Sequence, residues 1–173
     1  MNGWVPAAQT HRALLNSFIC VERGPARGPG TWHVQHKPWA QKAQSLIRDA
    51  EAPSRPPDQT FLYISGDGAR VEAAYSFYPV VPSDGIQRFH LNVLARHLDC
   101  ARAGFGALAY EQFLEECIAI IEAGPHVSAA LFTAQAHTDN LPVLKFLSER
   151  RWRRVAEPGS DGYADWALKI EIT

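Results

Sequence analysis

Residues 89–108 read FHLNVLARHLDCARAGFGAL. Phe89, Leu91 and Val93 alternate with His90 and Asn92 as a strand requires, and an apolar helical pattern opens at the far end. Between the two lie Gly104 and Gly106. A strand, a glycine loop and a helix start together make a cradle for an anion. The first amides of a helix have no intrahelical acceptor, the helix dipole favours negative charge there, and glycine lets the backbone approach a ligand without a Cβ. Alternation along the strand predicts His90, Asn92 and Leu94 on one face and Phe89, Leu91 and Val93 on the other.

Downstream, Tyr110, Phe113, Leu114, Cys117, Ile118 and Ile121 recur with helical period until Gly124-Pro125 stops the run. Residues 126–136 (HVSAALFTAQA) read as a strand. Asn140 is a good N-cap residue, Pro142 suits a first turn, and the helix they open runs to about Arg151. Residues 152–155 and 163–172 read as a closing strand pair. Upstream, residues 60–65 and 71–81 form a hairpin around Asp67-Gly68, and a turn at 82–85 feeds the strand 87–96. Two helices precede them. Ala13, Leu14, Leu15, Phe18 and Ile19 form one apolar face after Thr10 as N-cap; Trp39, Ala43, Leu46 and Ile47 form another after Pro38. GPARGPG (24–30) and EAPSRPPD (51–58) are connections by composition. A strand that feeds a helix into a further strand implies a parallel crossover. The expected fold is α/β, a mixed and mostly antiparallel central sheet with one parallel pair and flanking helices.

The length of 173 residues suits a single domain spanning 1–173. Hydrophobic residues at 46% and charged residues at 20% match a globular chain. A net charge of −1 gives no ground to expect a nucleic-acid or membrane partner. No apolar run reaches the roughly 18 residues of a membrane span, and the first residues lack the pattern of a signal peptide. Cys20, Cys100 and Cys117 are odd in number and carry no metal spacing. The expectation is a reduced, cytoplasmic protein without a metal.

Two separated motifs resemble those of the GNAT superfamily of acyl-CoA N-acyltransferases. Ala101-Arg102-Ala103-Gly104-Phe105-Gly106 lies in register with the family's Gln/Arg-x-x-Gly-x-Gly/Ala loop, and Leu94-Ala95-Arg96-His97-Leu98-Asp99 before it is similar to Leu-Ala-Val-His-Pro-Asp. The segment from Asn140 to Trp152 resembles the second family signature. The resemblance implies an acetyl-CoA-dependent N-acetyltransferase in which an acceptor amine, on a small molecule or a protein, attacks the thioester directly. It implies that the amides of Ala101, Arg102, Ala103, Gly104, Phe105, Gly106 and Ala107 hold the pyrophosphate of coenzyme A. The pantetheine arm then pairs like an extra strand with the backbone at Leu94, Ala95 and Arg96, where the parallel pair splays. His90 falls where several members keep a catalytic base, Asn92 at a second polar position, and Asn140 where the coenzyme is touched. Residues 1–58 then form a helical, loop-rich acceptor-side segment, with His33, His36 and Trp39 as a wall, and 59–173 the core. The family often pairs, so a homodimer is consistent with it.

The departures are specific. Ala101 stands where a basic or amide residue is usual, Leu147 where many members carry the tyrosine that protonates the thiolate, and Arg151-Trp152 where the signature closes on Gly-Phe. Tyr75, Tyr78 and Tyr163 are the replacement candidates for that acid. The family's first strand has no clear match in the first sixty residues. His97 is expected beside the loop rather than in catalysis, and Cys100 as a small buried residue or a thiol near the helix start. Arg150, Arg151, Arg153 and Arg154 form the one dense basic cluster. It fits a helix C-terminus, which favours cations, or a toxin-like enzyme that acetylates aminoacyl-tRNA. Ala101 and Leu147 together fit a third reading, a non-catalytic acyl-CoA-binding regulatory module.

Overall fold

A computed structural model describes residues 3–21, 37–50, 58–100 and 104–172. Seven strands form one sheet in the order β1-β2-β3-β4-β5-β7-β6: β1 Trp4–Pro6, β2 Gln59–Ile64, β3 Val71–Ser83, β4 Ile86–Arg96, β5 Ala129–His137, β6 Arg153–Arg154 and β7 Tyr163–Glu171. The helices are α1 Arg12–Ser17, α2 Pro38–Arg48, α3 Phe105–Ala123 and α4 Leu141–Glu149. β4 and β5 run parallel, joined by α3, while β1–β2, β5–β7 and β6–β7 are antiparallel. The mixed sheet with one parallel pair is the expected architecture.

The hairpin chemistry is local. Ser83 and Ile86 are joined through Asp84 and Gly85, both at positive φ (53° and 70°), the backbone of a two-residue turn matched to strand twist. The strand therefore continues through Pro82, which the sequence assigns to the turn. In the β2–β3 connection, Ser65 Oγ and the Ala69 amide both donate to the Asp67 carboxylate, at 2.6 and 3.0 Å. Those bonds hold the Asp67 carboxyl below its usual range.

Contacts divide the chain into two compact units, one from 1–55, 60–75 and 93–110 and the other from 56–59, 76–92 and 111–173. In the first, Leu15 and Phe18 of the α1 region and Ile47 of α2 pack with Leu62, Val71, Ala74, Val93 and Ala95. Pro38 sits in the first turn of α2, as its sequence position requires. A smaller cluster joins Tyr63, Ala73, Cys100 and Phe105, with Trp4 against it. In the second unit the core is aromatic: Phe113 of α3 lies edge-on to Phe77 and Phe132, and Phe89 stacks on Phe132 at 5.4 Å.

One strand is newly placed and two local expectations are corrected. The first strand, which the sequence leaves unplaced, is Trp4–Pro6, pairing with β2 through Trp4↔Tyr63 and Pro6↔Phe61. It is too short for alternation to announce it. Thr10 is not the N-cap of α1: it lies within a 3-10 turn, Gln9–His11, where His11 Nδ1 accepts the Ala8 amide at 3.1 Å. Asn140 does precede α4, but its side chain makes no cap bond. Its backbone oxygen instead accepts from the Val143 and Leu144 amides at 2.9 and 3.1 Å.

Candidate functional site

Along β4 burial alternates: Phe89, Leu91, Val93 and Ala95 are buried, whereas His90 and Leu94 are half-buried and Asn92 and Arg96 exposed. The polar members predicted from the alternation are thus the accessible ones. The β4–β5 ladder runs from Ile86↔Ala129 to Leu91↔Ala134 and ends there, although β4 continues to Arg96 and β5 to His137.

From Arg96 the chain turns through His97. The His97 amide donates to Glu72 O, its Nδ1 accepts the Asp99 amide at 3.2 Å, and its ring meets Phe18 edge-on. His97 is buried, and these contacts shape the turn. Cys100 is buried too, in the cluster with Phe105. Ala101, Arg102 and Ala103 lie outside the described residues, as do His33 and His36. Gly104 resumes the chain at φ 89°, a conformation side chains rarely adopt, and it is exposed. An added Cβ there would meet nothing within 4 Å, so backbone angle rather than space selects glycine.

Gly106 and Ala107, expected in the loop, belong to the first turn of α3. The helix closes its first turn with the Leu108 amide on Gly104 O at 3.0 Å. Phe105, Gly106 and Ala107 precede that bond, among the amides for which a helix has no acceptor of its own. The Phe105 side chain is buried, edge-on to Tyr63 at 5.0 Å, and fixes the helix start against the sheet. Any ligand contact from Phe105 is therefore through its backbone.

His90 pairs directly with Thr133 of β5. Its Nδ1 lies 2.9 Å from Thr133 Oγ1, and that hydroxyl is 3.3 Å from the Phe89 carbonyl oxygen. The Tyr78 ring is 5.1 Å from the imidazole. Further along β5, Gln135 Nε2 donates to the exposed carboxylate of its β7 register partner Asp165 at 3.1 Å. Thr133, Gln135 and Asp165 belong to β5 and β7, which the sequence motifs do not mark. Only a correct pairing register brings Thr133 to His90.

Of the three tyrosines, Tyr75 is fully buried, stacked on Phe61 and edge-on to Trp4, which makes it a core residue. Tyr78 and Tyr163 remain half-buried. Desolvation, helped by the Asp161 carboxylate, raises the Tyr163 phenol above its ordinary value. Leu147 is buried, and its carbonyl accepts the Trp152 amide at the end of α4. The basic cluster is partly committed: Arg150 lies over the Phe146 ring at 3.7 Å, and Arg154 pairs with Glu157 at 3.3 Å. Burial pushes the Cys20 thiol up to about 11 and the Cys117 thiol higher still, so neither is a ready nucleophile. Among the described residues no group of three metal-ligating side chains gathers, and no helix is long and apolar enough to cross a membrane.

No protein-family model matches the chain, and no curated protein sequence matches it. Solved structures do. A Desulfovibrio desulfuricans protein described as a GNAT-family acetyltransferase is 11% identical, with a TM-score of 0.60 over 99% of both chains. The ribosomal-protein-S18-alanine N-acetyltransferase of Escherichia coli is 14% identical, with a TM-score of 0.60 over 100% of this chain and 96% of its own. Arabidopsis thaliana NAA60 in complex with acetyl-CoA is 8% identical, with a TM-score of 0.59 over 99% of both. Likeness at such identities establishes the fold: the chain has the GNAT-like fold.

Proposed function

We propose that the chain is an acetyl-CoA-dependent N-acetyltransferase that transfers the acetyl group to an amine by direct attack, without a covalent enzyme intermediate. The observation that carries this reading is the end of the β4–β5 ladder at Leu91↔Ala134, with β4 running on through Leu94, Ala95 and Arg96 toward Gly104 and the first turn of α3. In this reading the strand backbone at Leu94–Arg96 pairs with the pantetheine arm and polarises the thioester carbonyl. The amides from Ala101 to Ala107 hold the pyrophosphate. Arg102 adds a charge beside it, and Asn140 contributes at the coenzyme.

His90 accepts a proton from the acceptor amine, directly or through water, because only the neutral amine is a nucleophile. The half-buried position of His90 on β4 supports that role, and the exposed Asn92 two residues on supplies a polar contact for the acceptor. The acetyl carbon then bonds to nitrogen and its bond to sulfur breaks; coenzyme A leaves as the thiolate, which takes a proton from water while His90 returns its own to solvent. The acceptor is a small molecule or a protein, and a homodimer and a cytoplasmic location are consistent with the reading. The contacts of Arg150 with Phe146 and of Arg154 with Glu157 favour a structural role for the basic cluster over a tRNA site.

Isothermal titration with acetyl-CoA tests the coenzyme half of this reading, and absence of binding at millimolar ligand would sink it. Release of free thiol from acetyl-CoA in the presence of a mixed amine pool tests the chemistry. Binding without any thiol release points to a regulatory acyl-CoA module instead.

A further inference from the structure

A histidine accepts a proton only through a ring nitrogen that carries none, so the base role assigned to His90 depends on which tautomer it holds. Its surroundings bear on that choice. Thr133 Oγ1 has one proton and two neighbours, His90 Nδ1 at 2.9 Å and the Phe89 carbonyl oxygen at 3.3 Å. A carbonyl oxygen cannot donate. If the hydroxyl proton goes to Phe89 O, the Thr133 oxygen is left to accept from Nδ1–H, and both contacts are hydrogen bonds. If it goes to Nδ1, the contact with Phe89 O holds two acceptors and no proton, and one bond is lost. The 2.9 Å separation is the ordinary length of an N–H···O bond.

We infer that Thr133 is a positioning residue that holds His90 as the Nδ1–H tautomer and keeps Nε2 as the basic nitrogen; this rests on the acyl-transfer reading above. The backbone makes the arrangement rigid. His90 and Thr133 are register partners on adjacent parallel strands, and Phe89 is the residue next to His90 on the same strand. The chain runs Nε2, imidazole, Nδ1–H, Thr133 Oγ1–H, Phe89 O. When Nε2 takes the proton that the amine gives up as its nitrogen bonds to the acetyl carbon, the ring becomes cationic and the bond from Nδ1–H to Thr133 strengthens. No proton moves through Thr133. The threonine orients the ring and fixes its tautomer, as an outer hydrogen-bond partner does for a metal-binding histidine.

The test reads the tautomer directly. 15N chemical shifts of histidine-labelled protein distinguish protonated from unprotonated ring nitrogens, and the His90→Gln spectrum assigns the His90 signals among the seven histidines. At a pH where His90 is neutral, wild type is expected with Nδ1 protonated and Nε2 bare. Thr133→Val removes the acceptor and is expected to shift the population toward Nε2–H, while Thr133→Ser keeps the wild-type pattern. In the amine-dependent thiol-release assay, Thr133→Val is expected to lower kcat by roughly two- to tenfold, the worth of one hydrogen bond, with the KM for acetyl-CoA unchanged and with recovery in Thr133→Ser. A wild-type spectrum showing Nε2–H, or a tautomer indifferent to Thr133→Val, overturns the inference without any reference to activity. Full kcat in His90→Gln overturns the base assignment instead, so the two failures separate.

Discussion

The Nδ1 of His137 accepts the amide N–H of Asp139 at 3.2 Å. The same bond, at the same length, joins His97 to Asp99. In each case the histidine carbonyl also accepts the amide three residues on, from Asn140 and from Cys100. β5 and β4 therefore leave the sheet through the same turn, and each turn leads toward a helix. A ring nitrogen here does the work that an Asn or Asp side chain does in an Asx turn, accepting the amide two residues ahead. His137→Asn should keep that acceptor and His137→Ala should not. Denaturant unfolding is expected to place the alanine variant about 1–3 kcal/mol below wild type, with asparagine recovering about 0.5–1.5 kcal/mol of it. Equal stabilities for the two variants would show that the imidazole contributes through packing alone.

Gly162 bounds the same histidine from the other side. A Cβ at Gly162 would stand 2.7 Å from His137 Nε2, and the residue holds φ at 78°. Gly162→Ala carries both a contact cost and a backbone cost, together more than about 1 kcal/mol. Only the contact part depends on His137. Gly162→Ala should therefore cost less in the His137→Asn background, with a coupling of about 0.5–3 kcal/mol in a double-mutant cycle. Strict additivity would remove the contact from the explanation.

Arg151 closes α4 at φ 65°. Its amide donates to Ser148 O and that of Trp152 to Leu147 O, both at 3.1 Å, the bond pair of a Schellman ending. That position favours glycine, and glycine is what the related signature carries there. Arg151→Gly is expected to raise stability by roughly 0.5–1 kcal/mol, because the left-handed conformation then carries no Cβ penalty. A fall in the melting temperature would instead assign the guanidinium a stabilising role at the helix C-terminus.

Binding and chemistry should separate on β4 and at the glycine turn. His90→Gln is expected to lower the turnover of acetyl-CoA with an amine by about 10²–10⁴, with calorimetric affinity for coenzyme A unchanged. Gly104→Ala meets no atom within 4 Å but must hold φ near 89°. It should weaken coenzyme affinity and cost about 1 kcal/mol of stability through the backbone. Unaltered coenzyme affinity in Gly104→Ala would move the phosphate site away from this turn.

The alternation of β4 and the helix after Gly104 were legible in the sequence because both are periodic over many residues. Trp4–Pro6 was not, since three residues carry no period and pairing with β2 alone defines them as a strand. The sequence places Asn140 before α4, but residue type does not reveal that its backbone oxygen, and not its side chain, accepts the first amides of the helix. Thr133 was invisible for a different reason. Its meaning comes from standing opposite His90, and register between strands 43 residues apart is not a property of either segment. The twin turns at His97 and His137 share only a His-x-Asp spacing, too little to count as a repeat before the hydrogen bonds are seen.

Tyr163 should make the fold lose stability at alkaline pH. Its phenol is raised above the ordinary value of 10.0 by desolvation first and by the Asp161 carboxylate second. A group whose folded value is the higher one contributes its full stability below the unfolded value. As pH rises past that value, the unfolded chain releases the proton first, and the contribution is lost progressively until the folded group ionises too. Tyr163→Phe has no proton to lose. Stability measured by denaturant from about pH 8 to about pH 11 should therefore fall more steeply in wild type than in Tyr163→Phe. The difference between the two should be constant at the lower end and shift against wild type only near the top. Parallel curves across the whole range would mean that Tyr163 ionises as easily in the folded chain as in the unfolded one, and that its half-buried ring against His137 carries no desolvation penalty.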